Sequence, residues 1–187
     1  MSRLEAKQPE ELTAEQREQH ERVGRARTAG ADGQYGGPFD PWIRVPEFGR
    51  RAMGVGDFLW QRTTIGRRVV ELAILVTARF WESNIEWWAH ARLARQNGGS
   101  DEVIDATFAG TRPTMAPEDE LIAYDTCRSL HEHRELPADL YARAVAQFGE
   151  EGLMELVATI GFYTMVAMTL HAFDVTVPDG VDPPFSR

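Results

Sequence analysis

The stretch ELAILVTARFWESNIEWWAHARLAR, residues 71–95, constrains the fold more than any other part of the chain. It is mostly apolar and long enough for helices packed against a core, whereas no run of the sequence has the strong alternation of a half-buried strand. Ser83 and Glu86 have the S-x-x-E spacing of a capping box, which marks the start of a helix. The stretch therefore predicts two helices that meet near residues 82–84 and form the central hairpin of an all-α domain.

Helix start and stop signals divide the rest of the chain in the same way. Thr13 and Gln16 have capping-box spacing, Gly98 and Gly99 can end a helix in the left-handed conformation, and Pro117 can begin one before an acidic first turn. The predicted helices span residues 13–29, 46–61, 65–81, 84–97, 100–109, 117–133, 137–148 and 151–173.

The ends of the chain differ in composition from its middle. Glycine and proline crowd residues 30–46, which predicts an extended connector that lies on a surface. The helix at 13–29 has few apolar residues, so we expect it to pack on a partner or to stay mobile. We therefore divide the chain into a helical arm with its connector at 1–45, a compact multi-helix domain at 46–178, and a C-terminal tail at 179–187.

Charge and composition exclude several classes of protein. The 187 residues carry a formal net charge of -9, which is opposite to the basic footprint of a nucleic-acid binder and gives no attraction to an anionic membrane. The longest apolar stretch, near 153–170, contains Glu155 and Gly161 and predicts a buried helix rather than a membrane span. The N-terminal segment lacks the apolar core of a signal peptide, and the single cysteine, Cys127, suits a reducing compartment. We expect a cytoplasmic protein without nucleic-acid or membrane partners.

Polar side chains inside the apolar stretch at 71–95 are the candidates for chemistry. Glu71 follows Val69 and Val70, and a buried carboxylate there needs a partner or a raised pKa. His90 lies among apolar residues and is either a satisfied core histidine or a site residue. If the two helices pack as a hairpin, Glu71 and His90 meet across it, and a carboxylate that orients an imidazole is a general-base device.

Other polar residues carry weaker signals. Glu86 is either a simple helix cap or part of a site, and Ser83 is its capping partner. His90 and Glu86 lie on one helix face, but zinc needs three or four ligands and no third ligand is close in sequence, so no metal is predicted. His171 suits the C-terminal dipole of the last helix or lines a pocket. His131 and His133 are predicted to be solvated.

The order of these residues resembles a known family. Glu71, Ser83, Glu86 and His90 resemble the E-x11-C-x2-C-x3-H motif of the carboxymuconolactone decarboxylase and alkylhydroperoxidase-D superfamily. The following ARLARQNGGSDEVIDA resembles the continuation of that motif, and the similarity extends over roughly residues 40–178. The resemblance implies an all-α domain that assembles as a homotrimer or homohexamer, with sites near the subunit contacts.

The departures from the motif decide which chemistry is expected. Ser83 and Glu86 occupy the positions of the two redox cysteines, and Cys127 has no resolving partner, so thiol peroxidase activity is not expected. The resemblance implies that cysteine-free members use acid–base chemistry, as in decarboxylation of a lactone acid during aromatic catabolism. The prediction is a carboxy-lyase, without a cofactor, that acts on a small organic acid or lactone.

Each site residue has a predicted role in such an enzyme. His90 is the general acid or base and Glu71 holds it. Decarboxylation also needs a cation for the substrate carboxylate. Arg44, Arg67 and Arg68 are the candidates, although a solvated surface position or an ion pair is the more common explanation for each of them. The predicted substrate-binding residues are Ser83, Glu86, Trp87, Arg44, Arg67 and His171.

Two alternatives stay open at this stage. In the first, the chain is a binding or assembly protein that kept the fold and lost the redox cysteines, and the arm at 1–29 serves its partners. In the second, Cys127 carries redox chemistry of its own, which selective oxidation by peroxide would reveal.

Overall fold

The computed structural model of the protein describes residues 2–30 and 33–185, and in those ranges the regular structure is entirely helical. This result confirms the all-α prediction. The predicted arm and tail also include residues 1, 31, 32, 186 and 187, which lie outside the described ranges. The α-helices are α1 (Ala14–Gly24), α2 (Phe39–Arg44), α3 (Pro46–Gln61), α4 (Arg67–Phe80), α5 (Asn84–Gln96), α6 (Asp101–Ala109), α7 (Glu118–Glu132) and α8 (Ala138–Ala172), after a 3-10 turn at Pro9–Glu11.

Helix α4 forms the centre of the molecule. Every residue from Val69 to Ala78 is buried, and the helix contacts α5, α6, α7 and α8. A helix whose middle turns are apolar on most sides has to be enclosed by others, which is the arrangement observed. Its buried position gives the side chains on α4 a fixed environment, and Glu71 is one of them.

The chain reverses between α4 and α5 at the predicted place. Glu82 adopts a left-handed conformation with φ of 49°, and the Ser83 N–H donates to the Ala78 carbonyl over 2.8 Å. These features end α4 and start α5, so the predicted hairpin is confirmed. The predicted capping box is wrong, because the Ser83 side chain makes no capping hydrogen bond and the Glu86 side chain is buried in the helix packing.

The N-terminal arm packs on its own chain. Leu12 and Val23 are buried in a small cluster with Ile43, so α1 lies against α2 and α3. The capping box of Thr13 and Gln16 is confirmed. A few well-placed apolar residues therefore suffice to dock a helix that is polar along most of its length.

The connector is not wholly extended, because it contains the short helix α2. The Asp40 carboxylate accepts hydrogen bonds from the backbone N–H groups of Tyr35 and Gly36 at 3.2 and 2.8 Å. These bonds fix the turn that leads into α2. Trp42 and Ile43 on α2 are buried at 4% exposure each, which anchors the connector to the domain.

Helix α8 joins the two helices that the sequence predicts at 137–148 and 151–173. The junction is Gly149, whose φ of 72° and ψ of 172° interrupt the helical backbone. Among the described helices, α8 is the one long and apolar enough to cross a membrane by length and composition. Half of its most apolar stretch is buried, and it packs on α4 and α7, which is the pattern of a core helix.

His131 on α7 is not solvated, contrary to the prediction. Its ring stacks on Phe80 with centroids 4.5 Å apart, and its Nε2 lies 3.0 Å from the Thr77 hydroxyl oxygen. Burial lowers the pKa of His131 to about 4, so the ring is neutral at pH 7. The exposed aromatic ring of Phe80 provided the contact that the sequence pattern did not reveal.

Candidate active site

The hairpin of α4 and α5 brings Glu71 and His90 into direct contact. The His90 Nδ1 lies 2.7 Å from the Glu71 Oε2, although the residues are separated by 19 positions. Glu71 is fully buried and His90 is 9% exposed. The predicted meeting of these two side chains is confirmed, whereas their catalytic role stays a prediction.

Arg67 completes the surroundings of the Glu71 carboxylate. It lies one turn earlier on α4, and its guanidinium donates to the Glu71 Oε1 while its carbon lies 3.9 Å from the centre of the Trp60 ring. Both carboxylate oxygens are therefore paired. A buried charge is tolerated when it is paired and hydrogen-bonded in this way.

Tyr163 of α8 forms one wall of the site. Its ring meets the His90 ring edge to face with centroids 5.1 Å apart, and its hydroxyl oxygen accepts a hydrogen bond of 3.2 Å from the Trp60 indole N–H. Burial raises the pKa of the Tyr163 phenol, and the negative charge of Glu71 acts in the same direction. Tyr163 is therefore neutral and holds the imidazole plane in position.

The contact with Glu71 defines which nitrogen of His90 is available for chemistry. A carboxylate accepts a hydrogen bond, so Nδ1 carries a proton and donates it to Glu71. In the neutral ring, Nε2 then holds the lone pair and can accept a proton. This is the arrangement of a general base whose orientation is fixed by a carboxylate.

Glu86 is a second buried carboxylate, one turn before His90 on α5. It is 4% exposed, and burial raises its pKa to about 8, with a small opposing effect of the nearby Ser83 hydroxyl. Apart from this contact with the Ser83 hydroxyl, neither Glu86 oxygen has a hydrogen-bond partner within residues 2–30 and 33–185. Glu86 is thus a neutral carboxylic acid at pH 7, and its charge when ionised is felt at Tyr163.

Three buried polar groups around this site are poorly satisfied in the described part of the chain. The Arg67 Nη1 makes no hydrogen bond, and the Ser83 hydroxyl and the Glu86 carboxyl have only each other. Buried polar groups in native proteins are nearly always hydrogen-bonded, and each exception needs a water molecule, a ligand or a functional reason. The grouping of several such atoms around His90 makes this region a candidate site.

Three residues proposed from the sequence as cations or substrate-binding groups lie away from Glu71 and His90. They are Arg68, Arg44 and Trp87. Arg68 forms ion pairs with Asp119 and Glu120 of α7, both at 2.6 Å. Arg44 donates to the Glu5 carbonyl at the surface. Trp87 points into a separate cluster on the other side of α5. It contacts the rings of Phe108 and Phe185 there, at centroid distances of 5.1 and 5.6 Å.

Ser83 and His171 line the same cavity, at the start of α5. The cavity has a volume of about 360 Å³ and lies between α5, the end of α8 and the tail. The His171 Nε2 lies 2.7 Å from the Trp81 carbonyl oxygen, to which it donates. A second cavity, of about 300 Å³, is lined by Arg79, Tyr124 and Arg128 on the far side of α4. Glu71 and His90 line neither of them.

The structure also bears on metal and thiol chemistry. Within the described residues there is no group of three or more His, Cys, Asp or Glu side chains that could hold a metal ion. Cys127 is fully buried in the central core, and burial raises the pKa of its thiol. A buried, protonated thiol is a poor nucleophile and is shielded from peroxide.

Sequence reasoning missed Trp60 and Tyr163. They come from α3 and α8 and meet Arg67 and His90 only in the folded molecule. The aromatic residues of α8 are typical of a core helix, and nothing in their spacing distinguishes Tyr163 from its apolar neighbours. The helix pattern of a single hairpin was enough to predict that Glu71 and His90 meet. It could not predict a contact between residues 103 positions apart, such as Trp60 and Tyr163.

Comparison with solved structures identifies the fold. The chain is similar to an uncharacterized peroxidase-related protein from Ralstonia eutropha with an alkylhydroperoxidase AhpD core, at a TM-score of 0.75 and 14% identity over 95% of this chain and 93% of that one. It is also similar to a protein of unknown function from Agrobacterium tumefaciens that is suggested to be the antioxidant defence protein AhpD. The TM-score is 0.67 and the identity 16%, over 76% of this chain and 98% of that one.

These similarities show that the chain has the alkylhydroperoxidase-D-like helical fold. No family model and no curated protein matches the sequence.

Proposed function

We propose that this protein is an acid–base enzyme, a carboxy-lyase acting on a small organic acid or lactone, in which His90 transfers the proton. The observation that carries the proposal is the 2.7 Å contact between the His90 Nδ1 and the fully buried Glu71 carboxylate. The motif resemblance supports the same class of enzyme, whereas the solved structures with this fold carry peroxidase-related names and support the fold alone.

Each residue of the site has a defined task in this proposal. Glu71 orients the imidazole and stabilises the imidazolium that forms when Nε2 accepts a proton. Arg67 fixes the Glu71 carboxylate, and its Nη1 offers a donor to an anionic substrate. Tyr163 sets the ring orientation. Neutral Glu86 supplies a second acidic proton on the same side of α5.

With these roles, the proposed decarboxylation takes place in two steps. The bond between the substrate carbon and its carboxylate breaks, carbon dioxide leaves, and the electron pair remains on the carbon. The imidazolium of His90 or the acid Glu86 then donates a proton to that carbon, and the acid is reprotonated from water. One proton is consumed for each carbon dioxide released, so no electron acceptor is needed.

Thiol peroxidase activity is not part of the proposal. Positions 83 and 86 hold serine and glutamate, and Cys127 is the single cysteine of the chain and is buried in the core. A cysteine peroxidase needs an accessible thiolate and a reductant for the sulfenic acid it forms.

The direct test is a screen for carbon dioxide release from a panel of small carboxylic and lactone acids. With a substrate found, His90→Asn and Glu71→Gln should lower kcat/KM by at least about 100-fold, the range typical of a positioned general base. His133→Asn is the matched control, because His133 is an exposed histidine directly after the last residue of α7. Unchanged turnover in both dyad variants would remove the proposal.

We also propose that the chain forms a homo-oligomer. Neighbouring helices α3 and α8 present exposed apolar side chains, and such patches on a protein surface mark interaction sites. These side chains are Val55, Phe58, Met154, Val157 and Met168, exposed by 37 to 63%. Light scattering should give a multiple of 21.1 kDa, and Val157→Lys should shift the protein toward the monomer, unlike Met115→Lys on an exposed loop.

A further inference from the structure

We propose that the cavity where the end of α6 meets α4 and α7 binds a phosphate group, either as the free ion or as part of a small organic phosphate. The cavity has a volume of about 300 Å³. In the described part of the chain, the charged side chains that line it are those of Arg79 and Arg128. Glu71 and His90 do not line this cavity, so the proposal goes beyond the proposed function and does not depend on it.

Both arginines are held in place by the end of α6. Arg79 of α4 donates from its Nε to the Phe108 carbonyl over 2.7 Å, and Arg128 of α7 donates from its Nη1 to the Gly110 carbonyl over 3.1 Å. These bonds restrict two long side chains that would otherwise be free to rotate, so less conformational entropy is lost when a ligand binds. Two guanidinium groups from different helices are therefore pre-positioned at one cavity.

Capping the last carbonyls of a helix is an ordinary role for arginine, but it leaves part of each guanidinium unused. An arginine has five N–H donors. The Arg79 Nη2 and the Arg128 Nε donate to no acceptor within residues 2–30 and 33–185. Both side chains are 33% exposed, and neither of these two nitrogens is a buried atom, so a ligand can reach them from the solvent.

Tyr124 of α7 adds a neutral donor to the two cations. It is 4% exposed but lines the cavity, and its hydroxyl oxygen lies 3.5 Å from the Arg128 Nη1. Burial raises the pKa of the Tyr124 phenol, so the hydroxyl keeps its proton at pH 7 and can donate it. A tetrahedral phosphate presents oxygens in several directions and suits donors from two helices, whereas a carboxylate matches one guanidinium edge.

Glu82 and Glu132 lie beside the arginines and compete with a ligand for them. Glu82 is 60% exposed, and its Oε1 lies 3.5 Å from the Arg79 Nη1. Glu132 pairs with the Arg128 Nη2 and is 36% exposed. Neither glutamate lines the cavity, and ion pairs with this much exposure contribute little free energy. A phosphate dianion can therefore bind the arginines in their presence, and removal of either carboxylate should strengthen that binding.

The remaining walls leave space for an organic group beside the phosphate. Val76, Phe80 and Ala109 form the apolar part of the lining, and the Phe80 side chain is 46% exposed. The volume of about 300 Å³ is at the lower end of the range for small-molecule sites and exceeds what a phosphate group alone fills. The chain as a whole carries a net charge of -9 and repels anions, so phosphate binding would report on this local site.

The test is a calorimetric titration of the full chain at pH 7 and low ionic strength with phenyl phosphate, inorganic phosphate and benzoate. We expect phenyl phosphate to bind most tightly. Arg79→Gln and Arg128→Gln should each lower its affinity at least about tenfold, because each loses a charge-assisted hydrogen bond. Arg95→Gln is the matched control, since Arg95 pairs with Asp101 outside the cavity, and its affinity should equal that of the wild type.

Glu132→Gln tests the proposal without removing either arginine from the end of α6. Loss of the competing carboxylate should raise the affinity for phenyl phosphate about threefold, whereas arginines that serve only as caps would give no binding to raise. Inorganic phosphate that binds as tightly as phenyl phosphate would support the proposal and identify the free ion as the ligand. Tighter binding of phenyl phosphate would support it and identify an organic phosphate.

Three results would overturn the proposal. The first is the absence of measurable binding of either phosphate compound to the wild-type protein. The second is benzoate that binds as tightly as phenyl phosphate. The third is an affinity for phenyl phosphate in Arg79→Gln and Arg128→Gln that equals the affinity of Arg95→Gln.

Discussion

Glu71 and Glu86 are two buried carboxylates of one helical hairpin, and their surroundings are opposite. Glu71 has Arg67 on one oxygen and His90 on the other, so its charge is fully compensated. Glu86 has no such partner in the described part of the chain, and burial raises its pKa to about 8. Two acids whose environments differ in this way can divide the roles of orienting carboxylate and proton donor.

The two carboxylates also differ in whether packing alone can explain them. A paired carboxylate such as Glu71 can be explained by packing alone, because a satisfied ion pair is compatible with a stable core. An unpaired one such as Glu86 costs stability at neutral and high pH, and proteins keep such groups chiefly at functional sites. The case for function at this hairpin therefore depends on Glu86 as much as on His90.

The largest expected effect is the loss of turnover in a Glu71→Ala, His90→Ala double variant. Because the two residues act as one unit, we expect each single alanine variant to lose nearly as much kcat/KM as the double variant. The measurement is a double-mutant cycle on the substrate found by the carbon dioxide screen. Additive losses in the two single variants would show that the residues act independently and that the dyad is wrong.

The next effect is on stability and concerns Glu71. Replacing Glu71 by Ala leaves the Arg67 guanidinium and the His90 ring without their acceptor, and we expect a loss of about 3 kcal/mol of unfolding free energy. Urea unfolding at pH 7 measures it. Asp57→Ala, an exposed carboxylate on α3, is the control and should change stability by less than about 0.5 kcal/mol.

Glu86 should behave in the opposite way, and its effect should depend on pH. Its pKa is raised from 4.5 to about 8 on folding, so the folded protein binds this proton more tightly than the unfolded chain. The stabilisation is therefore fully present below pH 4.5 and is lost as the pH rises toward 8. Glu86→Gln, which stays neutral, should be more stable than the wild type by about 2–4 kcal/mol at pH 9.

At pH 5 the difference between Glu86→Gln and the wild type should shrink to less than about 1 kcal/mol, because the wild-type acid is then protonated in the fold. Urea unfolding of both proteins at the two pH values measures the change. A wild type as stable as the glutamine variant at pH 9 would mean that Glu86 has a partner for its charge.

The smallest effect distinguishes the two serines at helix starts. Ser100 caps α6 through the Val103 N–H, so Ser100→Ala should cost about 1 kcal/mol. Ser83 makes no capping bond, and Ser83→Ala should leave stability within about 0.5 kcal/mol of the wild type. Thermal unfolding of the two variants side by side measures the difference, and equal losses would show that Ser83 caps α5 after all.

The sequence was sufficient for the hairpin and for the contact between Glu71 and His90. The helix signals at 82–84 fix where the chain reverses, and the apolar surroundings of both residues place them on facing helices. The burial of the Glu86 side chain could not be predicted. An S-x-x-E pattern describes a local helix cap and carries no information about which residues pack over it. Only the fold shows that Glu86 is buried near Tyr163.

The partners of Arg67 and Arg68 also show that local spacing predicts near contacts and not distant ones. Arg67 and Arg68 are adjacent in sequence, but one turns toward Glu71 and the other toward Asp119 and Glu120 of α7. Helical spacing places neighbouring residues about 100° apart, so they face different partners, and the partner of Arg68 lies about 50 residues away. Local spacing could pair Arg67 with Glu71 four residues on, whereas the pairing of Arg68 required the tertiary fold.

The most direct test of the proposed dyad is nitrogen NMR of the protein labelled in its histidine rings. We predict that neutral His90 carries its proton on Nδ1, donated to Glu71, and that Nε2 holds the lone pair. Glu71→Gln should change the signals of His90 and leave those of exposed His133 unchanged. A neutral His90 protonated on Nε2, with the same signals in Glu71→Gln, would contradict the dyad and remove the basis of the proposed chemistry.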